Sequence, residues 1–381
     1  MSPPRTELSV PKYRQVFDTI KGDILSGRYR AGQKLPSETA LLKRFQTSRI
    51  TVGRALRELK LSGLIQTRAG SGSYVATAPA EDSGLMFGLL VPNMADTEIF
   101  GPICRGMSEA PGASKHALLW GNLTADPQTK AEQAWQLCQQ YINKKVAGLF
   151  FAPLERIAES DYANQRVIAA VERVRMPLIL LDRCYLPYPN RSRHDLVGID
   201  HRRAGYMVAE HLIRLGCQRI VFLAYTNAAS TIGARIAGYR EALFVSGMPV
   251  EPGLVQMLIN ADESEIQRMM ETLRPDAIIG ANDRTAGHAM HTLIRLKYRI
   301  PEDVRIVGID DVEYASLLPV PLTTVHQPCR EIGITAVNAM LERINTPEMP
   351  TRDILLDCKL VIRDSCGARA GTSATAVNTT S

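Results

Sequence analysis

Apolar residues recur along the chain with two different spacings. Before residue 62 they recur at helical intervals in three segments, and two short apolar segments then flank a glycine-rich tip. From residue 85 onward, short apolar runs alternate with helical stretches, as in βαβ units of parallel sheets that are covered on both faces. The pattern predicts an α/β protein in which a small helical domain with a hairpin precedes a doubly wound, parallel-sheet domain.

The first domain, residues 1–76, is predicted to contain three helices. The first ends near Gly27, Ser37 caps the second, and the third extends from its cap Ser48 to Gly63. The turn QTS joins the last two helices, and so short a connection is typical of a helix-turn-helix whose second helix enters a major groove. The segments GLIQTR and SYVAT around AGSG then predict a β-hairpin wing.

The third helix has an unusual exposed face. Opposite its apolar stripe lie Ile50, Gly53, Arg54 and Arg57, although glycine costs roughly 1 kcal/mol against alanine inside a helix. Arg54 can reach guanine edges and Ile50 a thymine methyl group. Three further residues surround the helix N-terminus, where free amides and the helix dipole favour a phosphate. They are Thr47, Ser48 and Arg49.

Charge is distributed unevenly between the two domains. Residues 1–76 contain 14 Lys and Arg against 5 Asp and Glu, a net charge of +9, whereas the whole chain has +6. A basic module joined to an ordinary domain is expected of a protein that binds nucleic acid phosphates. A merely solvated basic surface is the alternative, which so high a local charge disfavours.

Nine apolar runs after residue 84 predict strands, enough for two doubly wound lobes. They are MFGLLVP, HALLWG, VAGLFFAP, PLILLD, LVGID, RIVFLAY, LVQMLI, AIIGAN and VRIVGID. The predicted division is a linker at 77–84, a two-lobed domain at 85–366, and a disordered tail at 367–381. One lobe is expected at about 85–199 with 320–349, and the other at 200–319 with 350–366.

Polar residues follow several of these strands: Asn93 to Phe100, Asp182-Arg183, Asn282-Asp283 and Asp310-Asp311. Ligands of open α/β sheets bind at the carboxyl ends of the strands, so two facing lobes would form a cleft lined by these residues. Asp182 and Asp283 against Arg183 and Arg235 give no net charge but many donors and acceptors, which suits a neutral polyhydroxyl ligand. Loop salt bridges are an equally good explanation of the Asp182-Arg183 and Asp310-Asp311 pairs.

The N-terminal motifs resemble the winged helix of the GntR family of bacterial regulators. The run GQKLPSETALLKRFQTSRITVGRALRELKLSGLI followed by GSGSYV is similar to that family from about Tyr13 to Val75. The resemblance implies that Ser48, Arg49 and Thr51 contact operator DNA and that wing glycines enter the minor groove. Thr39 and Gly53 stand where many members have arginine. The full predicted DNA-binding set is Thr39, Thr47, Ser48, Arg49, Ile50, Thr51, Arg54, Arg57, Arg68, Gly70 and Gly72.

The remaining chain resembles the LacI-type effector domain, which is similar to periplasmic sugar-binding proteins. The motifs are RIAGYREAL, PDAIIGANDRTAGHAM, IPEDVRIVGIDDVEYASLLPVPLTTVHQP and LVIRDSC. The resemblance implies a ligand-binding set of Phe100, Asp182, Arg183, Arg235, Asn282 and Asp283. A GntR-type winged helix joined to such a domain is similar to arabinose repressors of the AraR type, an architecture that several sugar-responsive regulators share.

These features predict a transcriptional repressor that binds double-stranded operator DNA as a homodimer and is released by a small, neutral, sugar-like effector. Two alternatives within this class are a co-repressor-dependent regulator and an activator that senses a non-sugar ligand such as a purine. A winged helix fused to a pyridoxal-phosphate enzyme would need a lysine at a strand end, and the predicted loops contain none. A transporter's solute-binding protein would not explain the basic N-terminal domain.

No cofactor, catalytic residue, metal or membrane contact is expected. The seven cysteines are far apart and form no CxxC pair, as in a cytoplasmic protein with reduced thiols. His288 and His291 could form half of a metal site, but a helix surface is the better explanation of this pair. The N-terminus does not have the apolar segment of a signal peptide, which favours a cytoplasmic location.

Overall fold

A computed structural model of the chain forms two compact units, Met1–Ser83 and Gly84–Ser381. The structure describes residues 12–30, 32–61, 64–68, 71–75, 84–91, 98–121, 127–155, 160–226, 230–259 and 263–368. The predicted linker, apart from residue 84, and the tail from residue 369 onward lie outside the described residues.

The first unit contains the three predicted helices and the predicted hairpin. The helices are α1 (Lys12–Leu25), α2 (Glu38–Phe45) and α3 (Arg49–Leu61), and the hairpin strands are β1 (Ile65–Arg68) and β2 (Gly72–Val75). The two strands pair antiparallel, with Ile65 opposite Val75. The predicted winged helix-turn-helix fold is confirmed.

Local sequence signals explain where α2 and α3 begin. The Ser37 hydroxyl accepts a hydrogen bond from the Ala40 amide at 3.2 Å, and the Ser48 hydroxyl accepts one from the Thr51 amide at 3.3 Å. Each serine satisfies an amide at a helix start that has no partner within the helix. One apolar core joins the three helices and the hairpin: Val16, Phe17, Ile20, Leu35, Leu41, Val52, Ala55, Leu56, Leu59, Ile65 and Val75.

The second unit contains two six-stranded sheets with helices on their faces. Its helices are α4 (Phe100–Glu109), α5 (Pro127–Asn143), α6 (Ser160–Arg173), α7 (His201–Arg214), α8 (Ser230–Val245), α9 (Glu263–Leu273), α10 (Asp283–Arg295) and α11 (Cys329–Asn345). The first-lobe strands are β3 (Met86–Leu90), β4 (Ala117–Trp120), β5 (Gly148–Phe151), β6 (Leu178–Leu181), β7 (Asp195–Ile199) and β13 (Asp353–Leu356). The second-lobe strands are β8 (Ile220–Tyr225), β9 (Val255–Leu258), β10 (Ala277–Gly280), β11 (Arg305–Asp310), β12 (Thr323–His326) and β14 (Lys359–Val361).

Both sheets are doubly wound. The first-lobe order is β4-β3-β5-β6-β7-β13, with every neighbouring pair parallel. The second-lobe order is β9-β8-β10-β11-β12-β14, and only β14 is antiparallel to its neighbour. The nine predicted strands correspond to β3 through β11, so the two-lobed parallel-sheet class is confirmed.

The predicted boundaries between the lobes are wrong at the C-terminal end. Strand β12 pairs with β11 in the second lobe, although 320–349 was expected in the first. Strand β13 pairs with β7 in the first lobe, although 350–366 was expected in the second. The chain therefore crosses between lobes after β7, after β12 and again after β13, because these short strands complete the two sheets alternately.

Polar residues lie at the carboxyl ends of strands in both lobes. Strands β6, β10, β11 and β12 are each followed by at least one polar residue. The apolar strands beneath these ends are buried and hold the sheet edges in fixed positions. Among the described residues, no helix has both the length and the apolar character that a membrane span requires.

Candidate nucleic-acid interface and effector site

The N-terminal end of α3 presents polar and apolar side chains to solvent. Ser48 and Thr51 hydroxyl oxygens are 2.9 Å apart, and the Arg49 side chain, 84% exposed, lies 3.5 Å from the Glu38 carboxylate. Ile50 is 85% exposed, so the predicted position of an isoleucine on this face is confirmed by the structure. A large apolar side chain with that exposure is suited to contact with another molecule.

The middle of the same face contains two arginines and a glycine. The Arg54 guanidinium lies 3.9 Å from the centroid of the Tyr13 ring of α1, and its Nε is 3.5 Å from Glu58 Oε1. Arg57 is exposed. A Cβ added to Gly53 would meet no atom within 4 Å, so nothing in the described part of the unit requires glycine there.

The other predicted DNA-binding positions are distributed over α2, the turn and the wing. Thr39 is exposed on α2 and Thr47 is half-buried before α3. Arg68, which ends β1, is opposite Gly72, whose φ of +106° is strained for any residue with a side chain. Gly70 lies outside the described residues.

At the carboxyl end of β6, Asp182 and Arg183 form a buried ion pair. Asp182 has a left-handed φ of 68°, which turns the chain sharply after the strand. Arg183 Nη1 donates to Asp182 Oδ2 at 2.9 Å and Nε donates to the Pro153 carbonyl at 2.9 Å. The guanidinium also lies 5.7 Å from the centroid of the buried Phe100 ring. The structure thus brings three predicted ligand-binding residues together.

Arg235 links this pair to the second lobe. Its Nε donates to His201 Nδ1 at 3.3 Å, and its Nη2 donates to Asp310 Oδ1 at 3.0 Å. His201 Nε2 in turn lies 3.2 Å from Asp182 Oδ1. The sequence also explains the close approach of helix α8, because a Cβ on Gly238 would lie 1.8 Å from the Arg202 carbonyl oxygen of α7.

Asn282 and Asp283 are predicted to bind the ligand, but their side chains hydrogen-bond to other residues of the second lobe. Asn282 caps α10, because its Oδ1 accepts from the amide and hydroxyl of Thr285 at 2.9 and 2.7 Å. Asp283 is fully buried, and its oxygens accept from the Val312 amide and the Thr324 hydroxyl. Both side chains therefore hold the loops of the second lobe in place.

Two residues of this polar cluster, His201 and Gln327, were not among the residues predicted from the sequence. Asp310 was expected to line the cleft, as it does, but was not in the predicted ligand-binding set. Gln327 donates from Nε2 to Asp310 Oδ1 at 2.6 Å. It could not be found in the same way, because the short strand β12 that precedes it was not predicted.

Burial and neighbouring charges shift the acidities of these carboxyls in opposite directions. Burial raises the pKa of Asp283 to about 7, and the nearby Asp310 carboxylate adds to the effect. Burial also raises the pKa of Asp310, against the opposing charge of Arg235. Burial disfavours the charged form of Asp182 as well, yet His201, Arg183 and Arg235 hold its pKa below the usual range.

The cluster adjoins a cavity of about 740 Å³ between the lobes. The start of α4 and of α11 line it on one side, and residues 310–314 and Leu317 line it on the other, with Asp310 and Gln327 among its walls. In its wall, the buried Gln327 Oε1 has no hydrogen-bond partner among the described residues. Asp182 and Arg183 are not among the lining residues, and their remaining polar atoms have charged neighbours: Asp182 Oδ1 lies 3.2 Å from His201 Nε2, and Arg183 Nη2 lies 3.7 Å from Glu155 Oε2.

Comparisons with known proteins agree with this division of the chain. Residues 12–75 match the family of bacterial regulatory proteins, gntR family, and residues 209–366 match the periplasmic binding protein-like domain. The arabinose metabolism transcriptional repressor of Geobacillus stearothermophilus is 27% identical over 371 residues, which cover 94% of this chain and 98% of the repressor. The ribose operon repressor of Escherichia coli (strain K12) is 26% identical over 270 residues, covering 70% and 78%.

A solved structure of a LacI family transcriptional regulator from Enterococcus faecium, with bound ribose, is similar to the second unit's fold. Its TM-score is 0.59 at 25% sequence identity, and the match covers 74% of this chain and 98% of that one. The chain therefore contains one region similar to the gntR family of bacterial regulatory proteins and one similar to the periplasmic binding protein-like domain, which confirms both resemblances in its sequence motifs.

Proposed function

We propose that the chain is a sequence-specific transcriptional repressor that a small, neutral, sugar-like effector releases from its operator. The relatives named above are repressors of arabinose metabolism and of a ribose operon. As a regulator of this kind, the chain would bind DNA and effector without catalysing a reaction. It would act as a homodimer in the cytoplasm, on two half-sites related by the dimer's symmetry.

The exposed α3 face supports the DNA-binding part of the proposal. Helix α3 is basic and exposes Ile50 on the same face as Arg57. It therefore offers positive charge for phosphates and an apolar contact for a thymine methyl group. Ser48, Thr51 and Arg49 would contact phosphates at the helix start, and the wing would lie in the minor groove. Thr39, Thr47, Arg54, Arg68, Gly70 and Gly72 would complete the interface.

The observation that carries the effector part is the buried Gln327 Oε1 atom, which lies in the wall of the cavity and has no hydrogen-bond partner among the described residues. Buried polar atoms are almost always hydrogen-bonded, so a ligand hydroxyl is the simplest partner for this acceptor, beside the buried carboxylate of Asp310. Hydroxyl groups both donate and accept, and adjacent hydroxyls match a carboxylate or guanidinium. Asp310 and Arg235 would then contact the effector directly, whereas Asp283 and Asn282 would support the loops.

Effector binding would alter the arrangement of the two lobes and so the geometry of the dimer. A coupling of about 1 to 3 kcal/mol would change operator affinity roughly 5- to 150-fold. Such a value is sufficient for a regulatory switch, since tenfold in affinity corresponds to about 1.4 kcal/mol.

The test is operator affinity with and without candidate effectors. A duplex is first selected from a random pool by the full chain, and pentoses, hexoses, polyols and purines are screened by thermal shift. A sugar that raises the melting temperature should weaken binding to the selected duplex. Intact DNA binding without a response to any sugar would contradict the effector part, and tighter binding with a purine would indicate co-repression.

A further inference from the structure

The Arg54 guanidinium is held against the neighbouring helix α1. Its Cζ lies 3.9 Å from the centroid of the Tyr13 ring, and its Nε is 3.5 Å from Glu58 Oε1 one helical turn further along α3. The side chain is nevertheless 58% exposed. Two contacts therefore restrict the direction of a long, flexible side chain that remains exposed.

We infer that Tyr13 positions Arg54 to bind a backbone phosphate of the operator, and that Arg54 does not read a guanine edge. This inference rests on the proposed DNA-binding function. It differs from the sequence-based expectation, in which the place of Arg54 on the exposed face of α3 allowed a direct base contact.

The geometry of the held guanidinium supports a phosphate as its ligand. Its Cζ lies over the Tyr13 ring and its Nε is turned toward Glu58, and among the described residues the two terminal nitrogens have no hydrogen-bond partner. Those donors match the oxygens of a phosphate in a bidentate arrangement. A lysine could not replace the arginine here, because an ammonium has neither a flat face nor a donor fork.

The position of the contact also favours a phosphate. In a major groove, the centre of a recognition helix faces base edges and its flanks face the two backbones. Arg54 is drawn toward α1, away from the strip that Ile50, Gly53 and Arg57 form along α3. Residue 53 is glycine, so that strip has no side chain between Ile50 and Arg57, and Arg54 lies to one side of it.

A tyrosine in this role is a positioning residue, because it does not itself touch DNA. By holding the guanidinium before binding, it reduces the conformational freedom that Arg54 loses in the complex. An exposed cation–π contact has an effect equivalent to about two- to fivefold in affinity. Tyr13→Leu should reduce affinity by that factor, whereas Tyr13→Phe retains the ring and should bind like the unaltered chain.

The test uses a duplex that the unaltered full chain selects from a random pool, together with every single-base variant of it. Arg54→Gln should weaken binding to all of these duplexes by a similar factor and reduce the salt slope of the affinity by about 1. Tyr13→Leu should have no further effect in the Arg54→Gln background. Arg57→Gln is the matched control, since Tyr13→Leu should weaken binding as much in its presence as alone.

Different outcomes overturn different claims. If Arg54→Gln relaxes preference at one base pair and leaves the salt slope unchanged, Arg54 reads a base and the inference is wrong. If Tyr13→Leu loses the same factor with and without Arg54, the tyrosine does not act through the arginine. If the unaltered chain enriches no duplex at all, the proposed function fails together with the inference. Active fractions from stoichiometric titration separate misfolding of Tyr13→Leu from weaker binding.

Discussion

The candidate DNA-binding surface and the candidate effector site use arginine in opposite ways. On α3, Arg49 and Arg54 are 84% and 58% exposed, and each has one surface ion pair of 3.5 Å. In the second unit, Arg235 is 4% exposed and hydrogen-bonds to three partners. A surface of the first kind can change its affinity with little effect on stability, whereas a cluster of the second kind contributes to folding and to binding together.

The largest expected effect comes from removing one arginine from each region. Arg235→Ala should lower the free energy of unfolding by about 3–5 kcal/mol, because it leaves the Asp310 carboxylate buried without its cationic partner and the Ala281 carbonyl without the donor from Arg235. Arg57→Ala, the matched surface variant, should change it by no more than about 0.5 kcal/mol and should weaken DNA binding. Urea unfolding of the full chain and binding to a selected duplex measure the two effects.

A second substitution tests whether the loss of stability in Arg235→Ala comes only from the lost side-chain volume. Arg235→Met retains most of the aliphatic side chain but not the donors, so it should still be destabilising. Equal stability of Arg57→Ala and Arg235→Ala would contradict the distinction between the two regions.

The buried carboxyl of Asp283 should make the stability of the chain depend on pH. Asp283 has a pKa of about 7 in the folded chain against an ordinary value of 3.8, so the folded state binds the extra proton. Its contribution to stability is therefore complete below about pH 4 and is lost as the pH rises through 7. Relative to Asp283→Asn, the free energy of unfolding should fall by on the order of 1–4 kcal/mol between pH 4 and 8.

An exposed aspartate provides the control for this experiment. Asp303 pairs with Arg299, and hydrogen bonds from that residue lower its pKa to about 2. Asp303→Asn should therefore leave the slope between pH 4 and 8 unchanged. If Asp283→Asn also leaves the slope unchanged, Asp283 is ionised across that range and the buried cluster is less proton-dependent than its burial suggests.

The two regions also differ in how much of them the sequence could predict. The α3 surface follows from periodicity and charge alone, because a helix places Val52 and Leu59 inside and Ile50 outside whatever the tertiary structure. The effector cluster depends on which strands become neighbours. Asp182 and Arg235 are joined through His201 only because the chain crosses between lobes at residue 200, and spacing along the chain contains no record of those contacts.

The errors at the C-terminal end have the same physical origin. None of the strands β12, β13 and β14 has the continuous, buried apolar run that identifies strands such as β5 and β6: β12 is TTVH, and the last two are only half-buried. Their sheet membership is decided by the edge that each completes. Gln327 was missed for this reason, since its place beside Asp310 depends on β12 joining the second sheet.

The smallest predicted effect concerns Gly53, at which the stability of α3 and its DNA binding can be measured separately. Because an added Cβ would meet no atom within 4 Å, Gly53→Ala should raise the free energy of unfolding by about 0.5–1 kcal/mol. Gly72→Ala is the control and should lower it, because Gly72 has a φ of +106° and its added Cβ would lie 3.2 Å from Lys34 Cε. Thermal unfolding distinguishes the two signs.

A binding experiment then decides why a residue that weakens the helix is present at this position. Gly53→Arg on the selected duplex and its single-base variants has two informative outcomes. Uniform loss of affinity would mean that α3 approaches the groove floor too closely for a side chain at residue 53. Retained affinity with a new preference at one base pair would mean that this step of the operator is unread by the unaltered chain. Either result assigns Gly53 to DNA recognition, because no contact within the described part of the unit requires it, whereas unchanged binding to every duplex would remove it from the interface.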